Sequence, residues 1–165
     1  MKKIFILFLL INATVSAQKN LDKLLSKWNH KNVPYISVET LAMPKNKPIL
    51  LDARELEEYN VSHLKNAIYV GYNHFDVNKT IDLLPKDKNA KIVVYCSLGI
   101  RSETVANKLI KQGYTNVYNL YGGIFEWKNN DFQVMDTIGN TTEKVHAFNK
   151  SWGKWLKKGE KVYDK

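Results

Sequence analysis

Short apolar runs alternating with helix-like stretches constrain this chain more than any other feature. Ile49-Leu50-Leu51 ends in Asp52, and Ala67-Ile68-Tyr69-Val70, Ile92-Val93-Val94-Tyr95 and Val117-Tyr118-Asn119-Leu120-Tyr121 follow it. Helical patterns run from Glu55 to Asn60, from Asp76 to Leu84 and from Ser102 to Gln112. In the last of these Val105, Ala106, Leu109 and Ile110 share a face, and Gly113 supplies the stop. A strand that is apolar on both faces must be covered on both, which is the condition of a parallel sheet between helices. The pattern therefore predicts an open, doubly wound α/β domain. No internal repeat and no low-complexity linker divides it.

Composition agrees with one domain and narrows the chemistry. With 44% apolar residues in 165, the chain can bury one sizeable core. The single cysteine, Cys96, excludes a disulfide framework and a Cys-rich zinc site. The net charge of +9 comes almost wholly from lysine, since Arg54 and Arg101 are the only arginines. Nucleic-acid readers lean on arginine for bidentate contacts and stacking. The lysines are also scattered among abundant asparagines, as in a genome-wide bias, so no nucleic-acid partner is expected.

The ends of the chain have their own character. Met1-Lys2-Lys3, the apolar stretch Ile4 to Ile11 and the small residues up to Ala17 form the pattern of a secretory signal peptide, residues 1–17, cleaved after Ala17. Eight apolar residues fall short of the ~20 that span a bilayer, so no transmembrane anchor is expected. The location implied is periplasmic or secreted. Residues 18–34 place Leu21, Leu24, Leu25 and Trp28 on one face of an amphipathic helix before Pro34. The α/β domain is expected over 35–135. In 136–165 Val145, Phe148, Trp152, Trp155 and Leu156 fit one stripe of a basic, aromatic terminal helix. Such a helix would pack on the domain, grip an envelope protein partner or lie on an anionic surface.

Ligands of open α/β sheets bind at the carboxyl ends of strands, and Cys96 occupies such a place. Val93-Val94-Tyr95-Cys96 runs into Ser97-Leu98-Gly99-Ile100-Arg101-Ser102 with a helix following at once. If the loop curls with its amides inward, it forms an anion nest at a helix N-terminus, and Gly99 permits the curvature. The nest and Arg101 would favour thiolate over thiol and leave a nucleophile at neutral pH. The alternative is an inert cysteine buried at a strand end.

Cys-x-x-Gly-x-Arg-Ser after an apolar strand resembles the active-site loop of single-domain rhodaneses, the thiosulfate:cyanide sulfurtransferase family. Leu51-Asp52-Ala53-Arg54-Glu55 with Glu58-Tyr59 resembles that family's Asp-x-Arg-Glu…Glu-Tyr segment. Ser62-His63-Leu64…Ala67-Ile68 resembles its Gly-His-Ile…Gly-Ala-Ile segment, and Leu120-Tyr121-Gly122-Gly123-Ile124…Trp127 its closing Gly-Gly-x-x-x-Trp. The four motifs keep the family's order across Tyr35 to Val134. Ser62 and Asn66 depart from it, standing where glycine is usual.

The resemblance implies a five-stranded parallel sheet flanked by helices, and a Cys96 persulfide as the carrier of sulfur. Ser97, Leu98, Gly99, Ile100, Arg101 and Ser102 would hold a small anionic sulfur donor, and a thiol or cyanide would accept the sulfur. Asp52, Arg54, Glu58 and His63 are expected to be structural or orienting, Asp52 with Arg54 as a buried pair or turn clamp. His30, His74 and His146 lack ligand-like spacing, so no metal and no cofactor is expected. Two other readings stay open. One is a non-catalytic docking or sensing module. The other is a cysteine phosphatase or arsenate reductase, whose Cys-x5-Arg loop is one residue longer than the loop here.

Overall fold

The structure, a computed structural model, describes residues 20–45 and 47–164. The signal peptide expected over 1–17 lies outside the described residues. The chain divides into a short unit up to Lys31 and a second unit from Asn32 to Lys165. In the first, residues 20–28 form helix α1. It is shorter than the predicted span of 18–34: Lys31 takes a positive φ of 58°, which no helix tolerates. Trp28, placed on the predicted apolar face, is 53% exposed.

The second unit is built on strands β1 (Tyr35–Ile36), β2 (Ile49–Asp52), β3 (Ile68–Tyr69), β4 (Ile92–Tyr95) and β5 (Val117–Leu120). They form one parallel sheet in the order β1-β5-β4-β2-β3. The four apolar runs are β2, β3, β4 and β5. The edge strand β1 has only two residues, too few to show any periodicity, and the fifth strand was implied by the family resemblance alone. Helices α2 (Val38–Ala42), α3 (Leu56–Val61), α4 (Val77–Asp82), α5 (Arg101–Lys111) and α6 (Gly123–Asn129) connect or follow the strands.

Burial explains why the runs are apolar throughout. Every residue of β4 is fully buried, because it lies mid-sheet with cover on both faces. Val105, Ala106 and Leu109 of α5 pack with Leu51, Ile92 and Val94 in one core cluster. Local capping starts the helices where the sequence suggests. The Asp76 carboxylate accepts from the amides of Asn78 and Lys79, and Glu55 with Glu58 closes a capping box on α3. Gly113 ends α5 at φ 88°.

Strand order reverses between β2 and β4, since β2 leads outward to β3 while β4 leads through α5 to β5 on the other side. The crevice at the carboxyl ends of these two strands is where an open α/β sheet binds ligands. Asp52 is in register with Tyr95, so the loops leaving β2 and β4 emerge side by side.

The C-terminal segment corrects the expectation of one long helix over 136–165. A hairpin forms from β6 (Val134–Met135) and β7 (Thr141–Thr142), and then β8 (Lys144–His146) runs parallel to β9 (Glu160–Val162) with the four-residue α7 (Lys150–Gly153) between them. Phe148 at φ 64° and Gly159 at φ 89° break any continuous helix. A Cβ on Gly159 would lie 2.8 Å from the Glu143 carbonyl oxygen. The five apolar positions belong instead to a strand, a turn, a short helix and the turn after it, and they are not all buried: Phe148 is exposed. Val145 and Leu156 are fully buried. This segment belongs to the same compact unit as the sheet.

Candidate active site

The loop from Cys96 to Ile100 joins β4 to α5 and is held from three sides. From below, the amides of Ile124 and Phe125, at the start of α6, donate to the carbonyls of Cys96 (2.9 Å) and Ser97 (3.2 Å). In a trans peptide the N–H points opposite to the C=O, so the amides of Ser97 and Leu98 face away from α6. Only glycine allows this approach at position 123. Its φ is 57°, and a Cβ there would sit 2.2 Å from the Cys96 oxygen.

From the β5 side, buried Asn119 binds both ends of the curl. Its Nδ2 donates to the Gly99 carbonyl (2.8 Å), and its Oδ1 accepts from the Ser102 hydroxyl (2.7 Å). Gly99 itself stands at φ 101°. The curl aims the Gly99 amide at the Cys96 Sγ, 3.1 Å away. The Ser102 Oγ lies 3.5 Å from the same sulfur. Its single proton thus has two acceptors within reach, Asn119 and Cys96.

From the β2 side comes Glu58 of α3. Its carboxylate takes Arg101 Nη1 at 2.6 Å and Nη2 at 2.8 Å, and the Ser97 hydroxyl at 2.9 Å. Arg101 Nη2 also donates to Ser97 Oγ at 2.9 Å. Glu58 is 2% exposed and completes the α3 capping box as well. Burial would push its carboxyl up, but hydrogen bonds and charge from Arg101, with help from Arg54, hold it below the usual carboxylate range.

Cys96 is buried, and burial alone would push its thiol up. The Arg101 charge and the hydrogen bonds from Ser102 and Gly99 outweigh that effect and hold the thiol below its ordinary value. Above Sγ opens a cleft of about 180 Å³. Leu98, Ile100 and Arg101 form one side of it, and Phe148 and Trp152 from the C-terminal segment form the other.

Asp52, Arg54 and His63 stand apart from this loop. Arg54 grips Asp52 through Nε (2.9 Å) and Nη2 (2.6 Å) with both side chains fully buried, and Nη2 reaches on to the Ser62 carbonyl at 2.6 Å. The pair ties the end of β2 to the turn after α3. His63 stacks on Tyr59 at 4.0 Å, and its backbone bridges to Met135. The two departures from the family pattern also find their reasons. Asn66 adopts φ 62°, which asparagine tolerates, whereas Ser62 is extended at φ −170° and needs no glycine. Among the described residues no group of three or more His, Cys, Asp or Glu side chains could hold a metal ion.

The profile of the rhodanese-like domain matches residues 37–130, more than half of the chain. The chain belongs to the rhodanese-like domain family. A Helicobacter pylori protein solved by NMR is 32% identical, with a TM-score of 0.53 over 64% of this chain and 93% of that one. A thiosulfate sulfurtransferase from Pseudomonas aeruginosa shares the fold, with a TM-score of 0.58 at 21% identity over 85% of this chain and 26% of that one. Among curated relatives, a tRNA uridine(34) hydroxylase of Hamiltonella defensa is 41% identical over 81 residues, which cover 48% of this chain. One from Erwinia tasmaniensis is 38% identical over the same length. In both cases the match spans 23% of the relative.

The rhodanese-like fold brings together Cys96, the 97–102 loop and Glu58, and leaves Asp52, Arg54 and His63 as supports outside the cleft. Sequence reasoning missed Asn119, which looks like one polar break in an apolar strand. It also missed Phe148 and Trp152, whose spacing resembled a helix stripe. Gly123 was visible only as part of a motif, without its reason.

Proposed function

We propose that this rhodanese-like protein is a sulfurtransferase that carries sulfane sulfur on Cys96. The observation that carries the reading is the Gly99 amide at 3.1 Å from a buried Sγ, inside a loop whose curvature is fastened by Asn119, α6 and the Arg101–Glu58 pair. The Cys96 thiolate attacks the outer sulfur of a small anionic donor such as thiosulfate. The S–S bond of the donor breaks, sulfite leaves with its electron pair, and Cys96 holds a persulfide. A thiol or cyanide then takes the outer sulfur and returns the Cys96 thiolate. Sulfur is transferred at each step and no external oxidant is needed. The loop amides, with the Arg101 charge behind them, stabilise the anionic forms that Cys96 passes through.

Four residues separate Cys96 from Arg101, which suits sulfur transfer better than a phosphoryl group needing a wider ring. The n-region, apolar stretch and small-residue site at residues 1–17 support export, so we place the reaction in the periplasm or outside the cell. The deciding experiment incubates the purified protein with thiosulfate and weighs it. A gain of about 32 Da, one sulfur atom, on Cys96 and none in Cys96→Ser is expected. No gain in the wild type would leave a docking or sensing module as the better reading.

A further inference from the structure

The match to the family ends at residue 130, yet Phe148 and Trp152 stand over Cys96. Phe148 is held there against strain. Its backbone is left-handed at φ 64°, a conformation that a residue with a Cβ adopts only under strain. Its amide donates to Nδ1 of buried His146 at 3.2 Å. The other imidazole nitrogen, Nε2, lies 3.0 Å from Asp164 Oδ1. The ring so placed lies 5.1 Å from the Arg101 guanidinium and remains 43% exposed. Trp152 is set by the cap of α7, where its amide donates to Asn149 Oδ1 at 3.0 Å.

The result is a cleft of two chemistries. Cys96 and Ser97 line it on the loop side, with the Gly99 amide donating to Sγ from within the loop. Its walls are Leu98, Ile100, Phe148 and Trp152. Arg101, the cation of the loop, has its fork committed to Glu58 and Ser97, and Phe148 covers its face. A molecule that reaches Cys96 through the cleft meets mostly hydrocarbon on the way. At about 180 Å³ the space is below the ~300 Å³ of a drug-sized pocket and suits a small organic molecule.

We propose that Phe148 and Trp152 set the acceptor specificity of the site, favouring a small thiol with an apolar aliphatic or aromatic substituent over hydrophilic acceptors. The inference rests on the sulfur-transfer reading above. The thiolate of such an acceptor attacks the outer sulfur of the Cys96 persulfide. The Cys96 S–S bond breaks, its electron pair stays on Sγ as thiolate, and the acceptor departs as an organic persulfide.

The test uses the full chain loaded with thiosulfate and freed of excess donor. Loss of the added sulfur is followed by mass against phenylmethanethiol and against cysteine at equal thiolate concentration. Discharge to phenylmethanethiol is expected to be at least about tenfold faster, the discrimination an apolar pocket readily supplies. Phe148→Ala and Trp152→Ala should each reduce that ratio severalfold, and the double variant should bring it near one. Equal rates in the wild type, or an unchanged ratio in both variants, would overturn the assignment. A second measurement needs no sulfur transfer: protection of Cys96 from iodoacetamide by phenylmethanol, with glycerol as the hydrophilic comparison. Protection by phenylmethanol that weakens in both variants supports the apolar cleft even if thiosulfate never loads Cys96, a result that would remove the sulfur-transfer reading instead. Loading without preference or protection would retain sulfur transfer and remove the role of the two aromatics.

Discussion

At the scale of single residues, the site works by setting one positive side chain between two sulfur- and oxygen-based anions. Arg101 neutralises buried Glu58 directly and favours the Cys96 thiolate through space. On the proposed sulfur-transfer reading, the downward displacement of the Cys96 thiol means that persulfide formation should keep its rate to lower pH than a free thiol would. It should decline only as pH passes the lowered value. A rate that halves at the same pH as the ionisation of a free thiol would contradict the charge arrangement. Arg101→Lys keeps the charge but loses the planar fork that spans both carboxylate oxygens and Ser97. A fall of about tenfold or more in kcat/KM for thiosulfate is expected, and unchanged kinetics would mean that the amides suffice. Glu58 supplies a second pH effect. Its folded pKa is depressed, so it adds stability above its unfolded value of ~4.3, and that stability is lost as pH falls through the folded value. Denaturant titrations should show this acid loss in the wild type and a smaller one in Glu58→Gln, which begins less stable.

At the scale of elements, the decisive contact is α6 against the Cys96 loop. Gly123→Ala puts a Cβ on top of the Cys96 carbonyl, so helix and loop must part. It should cost about 1–3 kcal/mol from strain alone and impair persulfide formation as well. Gly113→Ala is the comparison. It has a similarly positive φ of 88° but open space around it, so it should lose about 1 kcal/mol of stability while still loading sulfur. Equal sulfur loading by the two variants would separate α6 from the chemistry. The same contact explains why the Gly-Gly-x-x-x-Trp motif lies so far along the chain from the cysteine it serves. The motif was legible; its contact with Cys96 was not, because nothing in the local pattern links positions 123 and 96.

At the scale of the whole molecule, the segment after residue 130 is part of the folded body. Leu156 is fully buried and Lys128 of α6 pairs with Glu143 at 2.7 Å. Leu156→Ala should therefore cost about 2–5 kcal/mol, in a single transition shared with the sheet. A separate early transition for the C-terminal segment would show that it folds as an independent appendage. Its aromatics were readable as apolar positions but not as cleft walls. The spacing of Val145, Phe148, Trp152, Trp155 and Leu156 satisfies a helical stripe and a strand-turn-helix equally well, and only the left-handed Phe148 and the β8–β9 pairing choose between them.

The sequence alone determined the parallel α/β sheet, through runs too apolar for any half-exposed strand, and the place of Cys96, through a strand end followed at once by a helix start. It also indicated the nest, since Gly99 and Arg101 stand at offsets that a tight loop requires. These are local matters, settled by neighbours within a few residues. Only the tertiary structure decided which groups fasten that loop. Glu58, Asn119 and Gly123 come from three other elements, brought to one crevice by a strand order no periodicity encodes. Tertiary structure likewise placed Phe148 and Trp152 over the sulfur, because their positions depend on parallel pairing between strands fourteen or more residues apart.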